Sequence, residues 1–81
     1  MVNTLVLNLG VVIRELRKEA GLSQTVFGER CGFYQTYLSR IEGGSANPSI
    51  NAIDVIANAL GISIFELFDL IKIRMENSRL D

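Results

Sequence analysis

Chemistry in this chain has to come from amides, hydroxyls and a few guanidinium groups. There is no histidine and a single cysteine, Cys31, among 81 residues. The commonest general base is therefore absent, and neither an internal disulfide nor a cysteine–histidine metal set can be assembled. No phosphate-cradling glycine loop and no nucleophile–base pair is visible, so we expect neither an enzyme nor a resident metal or cofactor. Hydrogen-bonding side chains instead gather in FYQTYLSRIEGG, residues 33–44, which holds Tyr34, Gln35, Thr36, Tyr37, Ser39 and Arg40. Gln24 precedes this run, and Ser45 and Asn47 follow it. Such groups either read a polyanion or form the polar face of a surface helix, and the stretch has one basic residue with which to do the first.

The elements that would hold these groups are helical. Leu9, Val12, Ile13, Leu16 and Ala20 recur at three- and four-residue steps up to Gly21, opposite Arg14, Arg17 and Lys18. Ser23 offers an N-cap for a helix from Gln24 to about Cys31, and Gly32 can take the positive φ that ends it. Cys31 reads as a small buried apolar residue. A third helix over about 34–42 turns Leu38 and Ile41 inward and stops at Gly43-Gly44. Ser49 can cap a fourth, with Ile53, Ile56, Ala57 and Leu60 in one stripe, and Ser63 with Glu66 forms a capping box for a fifth. The expectation is an all-α domain of five helices over 9–81, preceded by a lead-in arm over 1–8. The helix-turn-helix occupies 24–43.

Charge gives little help to a polyanion reader. The formal net charge is -1, divided as +1 over residues 1–47 and -2 over 48–81. The strongly basic signature of many nucleic-acid domains is missing. The apolar opening MVNTLVLNLGVVI is interrupted by Asn3 and Asn8, has no cationic lead and is too short for a bilayer. A cytoplasmic, nucleoid-associated chain without a membrane partner is expected.

Gln24 through Gly44 has the parts of a helix-turn-helix in register. Gly28 is small where two helices would touch, Gly32 serves the turn, and Phe27, Cys31, Phe33, Leu38 and Ile41 point inward. The string GLSQTVFGERCGFYQTYLSRIEGG, followed by NPSINAIDVIANALGISIFELF, resembles the lambda-repressor-like (Cro/C1-type, XRE) helix-turn-helix family. QTYLSRIE followed by NPS looks most like restriction–modification controller proteins and small phage-type repressors. Two departures stand out: Gly28 replaces the usual alanine, and Tyr34 replaces the usual capping residue of the third helix.

The resemblance implies double-stranded DNA as partner, with the third helix in the major groove and no catalytic function. It implies that Gln24 bonds a phosphate and that Gln35 reads adenine, with Thr36 and Ser39 letting the helix approach the groove floor. Arg40 either reaches guanine or phosphate or is a solvated helix-end charge. Tyr37 either bonds a phosphate or covers the domain edge, and Tyr34 can stack on a sugar-phosphate edge. Ser45 and Asn47 either hold the DNA backbone or simply form a turn. Arg17 and Glu42 are implied to pair with each other. In the fifth helix, over about 63–79, Phe65, Leu70 and Ile73 lie outside the core stripe and suggest a homodimer on a near-palindromic site. The same fold used as an antitoxin or adaptor for a protein partner is the alternative. With no separate ligand-binding domain in view, regulation by concentration and dimerisation is expected rather than by a small-molecule effector.

Overall fold

Five helices follow from these patterns in the computed structural model, which describes residues 4–80, with side chains through Ser78. They are α1 (Thr4–Glu19), α2 (Gln24–Cys31), α3 (Gln35–Glu42), α4 (Ile50–Ala59) and α5 (Ile64–Leu80). No strand occurs among the described residues. The caps fall where serine chemistry places them. Ser23 Oγ accepts from Val26 N–H at 3.1 Å, and Ser49 Oγ accepts from Ala52 N–H at 3.1 Å. At Ser63 the box closes both ways: Ser63 Oγ accepts from Glu66 N–H, and Glu66 Oε1 accepts from Ser63 N–H.

The expected arm over 1–8 does not hold across 4–8, where α1 is already formed, and its first three residues lie outside the described region. Asn8 interrupts the apolar run in sequence, but its Nδ2 donates to Thr4 O at 2.8 Å and its Oδ1 accepts from Arg74 Nε at 3.1 Å. Both ends of the amide are satisfied inside the helix framework, so Asn8 costs the first turns little. Leu5, Val6 and Leu9 meanwhile line a cleft with Ile53, Phe68 and Ile71, which gives those turns a surface to pack on.

The core draws on every helix: Leu9, Val12 and Ile13 from α1, Phe27 and Cys31 from α2, Leu38 and Ile41 from α3, Ile53, Ile56 and Ala57 from α4, and Leu67 and Ile71 from α5. Helix α1 packs on α3 and α5, α2 packs on α3 and α4, and α4 packs on α5. Ala20, placed in the α1 stripe by its spacing, lies exposed beyond the last turn. The α1–α3 contact is close enough to exclude a side chain. A Cβ at Gly10 would sit 2.6 Å from Glu42 O and would also overlap Ile41 O.

Candidate nucleic-acid interface

Helices α2 and α3 are joined by a turn that depends on Gly32, whose φ of 74° is left-handed. Gly32 N–H reaches Glu29 O at 3.1 Å and Phe33 N–H reaches Gly28 O at 2.8 Å, satisfying carbonyls at the end of α2. A Cβ at Gly28 would stand 3.0 Å from Phe33 O, so the turn folds tightly back onto α2. Leu38 and Ile41 are wholly buried and fix the rotation of α3 about its axis. That rotation leaves Gln35, Thr36, Ser39 and Arg40 exposed.

The remaining predicted residues sit around this face. Tyr34 occupies the N-cap of α3 without a side-chain capping bond and is 86% exposed. Tyr37 is half-buried against the core and meets Phe33 edge-on, with ring centroids 5.2 Å apart. Past α3, Ser45 Oγ donates to Arg40 O at 3.4 Å, a turn contact, and Asn47 is exposed beside buried Pro48.

Beneath α3 lies an ion pair. Arg17 Nε donates to Glu42 Oε2 at 2.7 Å and Nη2 donates to Oε1 at 3.0 Å, while Nη1 donates to Leu22 O at 2.7 Å. Both residues are buried, at 7% and 6% exposure. The hydrogen bond to Glu42 holds the Arg17 guanidinium above its ordinary range, against the opposing effect of burial. From this pair a chain of bonds runs outward. Gln24 Nε2 donates to Glu42 Oε1 at 3.1 Å, and Gln35 Nε2 donates to Gln24 Oε1 at 2.6 Å. The structure thus brings Gln24 and Gln35 together, and ties both to the Arg17–Glu42 pair.

Helix α5 presents a different surface. Phe65 is 76% exposed, Ile73 53% and Leu70 39%. At about 100° per residue, Ile73 lies between Phe65 and Leu70 around the helix, roughly 80° from the first and 60° from the second. Leu70 and Ile73 line a groove with Val12 and Leu16 of α1, and Phe65 does not.

A helix-turn-helix domain model matches residues 8–67. The chain belongs to this helix-turn-helix family. The control protein C.BamHI of Bacillus amyloliquefaciens is 34% identical over 70 residues, 85% of this chain and 86% of that one. An uncharacterised HTH-type transcriptional regulator, y4dJ, of Sinorhizobium fredii is 42% identical over 59 residues, 73% of this chain and 77% of its own length. Among solved structures, the restriction–modification controller protein C.AhdI from Aeromonas hydrophila superposes with a TM-score of 0.74 at 35% identity. That match covers 76% of this chain and 94% of C.AhdI.

Within this family frame, two features that position the site escape a reading of the sequence. Gly10 sets the distance between α1 and the end of α3, and only its place in an otherwise apolar helix face hints at a close approach. Arg74 clamps α5 to α1 through Asn8 and through Glu15 Oε1 at 3.3 Å. Its partners lie 66 and 59 positions away in sequence, beyond the reach of any local pattern.

Proposed function

We propose that this chain is a sequence-specific DNA-binding transcription regulator that works as a homodimer on a near-palindromic operator, without catalysis. The observation that carries the reading is the outward face of α3. Gln35, Thr36, Ser39 and Arg40 are exposed on a helix anchored by Leu38 and Ile41, with Gln24 bonded to Gln35 at its start. An α-helix, about 10–12 Å across, fits the major groove of about 12 Å. Gln35 carries the donor and acceptor that adenine N7 and N6 require, and the short side chains of Thr36 and Ser39 allow close approach. Phosphates fall to helix N-termini, to Gln24, Tyr34 and Tyr37, and to the loop bearing Ser45 and Asn47.

A net charge of -1 leaves little bulk attraction, so affinity depends on two copies binding together. Exposed Phe65, with Ile73 and Leu70 beside the α1 groove, supplies apolar area for that association. Two-fold symmetry then sets the two α3 helices about one DNA turn, roughly 34 Å, apart. No helix among the described residues is long and apolar enough to cross a membrane, which supports a cytoplasmic setting. The names of the relatives, control protein and transcriptional regulator, point the same way.

Selection of bound sites from random duplex DNA tests this reading. The purified chain should enrich a motif with two-fold symmetry, and Gln35→Ala should lose preference at one base pair of each half-site. Enrichment of no motif, alongside retention of a specific protein partner, would favour the adaptor use of the fold instead.

A further inference from the structure

Past the end of α3, burial alternates residue by residue. Gly44 is half-buried, Ser45 exposed, Ala46 buried, Asn47 exposed and Pro48 buried. The segment is tied to α3 through the backbone, where Arg40 O accepts from Ser45 N–H at 2.9 Å and from Ala46 N–H at 3.2 Å. On its other side it rests on the first turns of α1. Gly44 has a left-handed φ of 77°, and a Cβ there would lie 3.4 Å from Leu7 Cα and 3.3 Å from Leu7 Cγ, and would overlap Cδ2. Asn47 and Pro48 line a cleft with Leu5, Val6 and Leu9. The outward-facing Ser45 and Asn47 are thus bracketed by two seats on α1.

We infer that Leu7 is a positioning residue for DNA binding, which backs Gly44 and so fixes how Ser45 and Asn47 stand beside α3. The inference rests on the reading that Ser45 and Asn47 meet the DNA backbone. Contacts of that kind set register and orientation and carry no sequence information of their own. Leu7 is 38% exposed and stands apart from the core cluster, so its side chain serves this seat more than the interior. Its contact is also distinct from the α1–α3 crossing, which is made by Gly10 against Ile41 O and Glu42 O.

Four proteins test the inference: the wild type, Leu7→Ala, the pair Ser45→Ala with Asn47→Ala, and all three changes together. Fluorescence anisotropy on a duplex from the wild-type selected pool reads binding, and thermal melting accompanies each variant. The loop pair should weaken binding about 10-fold or more, as for loss of a hydrogen bond to a charged phosphate. Leu7→Ala should weaken it at least about 3-fold while selecting the same motif. Added to the loop pair, Leu7→Ala should change binding less than about 2-fold, because residues acting through one another are not additive. Leu7→Met refills the space under Gly44 and should restore most of the affinity. Should Leu7→Ala prove unfolded, Leu7→Val takes its place in the same comparison. A folded Leu7 variant that binds like the wild type, that alters the selected motif, or that weakens the loop pair as much as the wild type overturns this inference alone. A loop pair that binds like the wild type overturns the backbone role of Ser45 and Asn47 and the inference with it.

Discussion

Gly10→Ala isolates the contact that fixes the depth of α3 in the domain. The added Cβ would lie 2.6 Å from Glu42 O and would overlap Ile41 O, both backbone atoms that cannot swing aside. Helix α1 must move away from α3, loosening the packing of Ile13, Leu38 and Ile41. Overpacking of this kind costs about 1–3 kcal/mol, and two carbonyls place it near the upper end. Alanine returns about 1 kcal/mol of helix propensity. The net loss is about 2 kcal/mol, a drop of roughly 8–16 °C in Tm for a domain of this size. Gly28→Ala is the internal control. Its Cβ meets one carbonyl, Phe33 O, at 3.0 Å, so a small adjustment nearly cancels the same propensity gain. Its stability should stay within about 0.5 kcal/mol of the parent, as for a substitution with no named defect. Urea and thermal unfolding, followed by circular dichroism, measure both. A Gly10→Ala melting point within about 2 °C of the parent, far short of the shift expected, would refute the crossing argument. Equal losses for the two variants would refute it as well.

Three further outcomes follow from the same geometry. Glu42→Leu strands a buried guanidinium and should cost about 3–5 kcal/mol in urea unfolding, whereas Arg17→Met combined with Glu42→Leu should cost less than Glu42→Leu alone; additive losses would mean that the pair is not coupled. Burial pushes the Cys31 thiol upward, so the folded state holds its proton more tightly than the unfolded chain. The associated stability is present in full below the ordinary thiol range of about 8.5 and lost as pH rises beyond it. Melting points of Cys31→Ala should therefore fall less steeply above that pH than those of the parent, and identical slopes would contradict the assignment. Arg40→Ala should weaken DNA binding and reduce the slope of log affinity against log salt by about 1 per protomer if Arg40 neutralises a phosphate. An unchanged slope with altered base preference would assign Arg40 to a base edge.

Local chemistry is legible in the sequence. Ser23, Ser49 and Ser63 cap helices because each precedes an apolar periodic run, and Ile64, Leu67, Phe68, Ile71 and Met75, at helical spacing along α5, pack in or against the core. Contacts made between elements are harder to see. Arg17 sits among Arg14 and Lys18 and reads as part of a basic face, although its partner is 25 positions away. Family resemblance, not spacing, suggests that pairing. Asn8 looks like a break because its bond to Arg74 exists only once α1 and α5 are side by side. Phe65, Leu70 and Ile73 group together in sequence for lying off the core stripe, yet only the packed α1 shows that Leu70 and Ile73 border one groove and Phe65 does not. The Gln24–Gln35 bond likewise depends on the turn at Gly32, which determines how close two helix N-termini come.

The central claim is that the exposed face of α3 reads DNA. A crystal structure of the chain with a duplex taken from its own selected pool tests it most directly. The account predicts two copies on one site, each with α3 in the major groove and Gln35, Thr36 and Ser39 directed at base edges. A complex in which α3 faces solvent and another surface meets the duplex would contradict it.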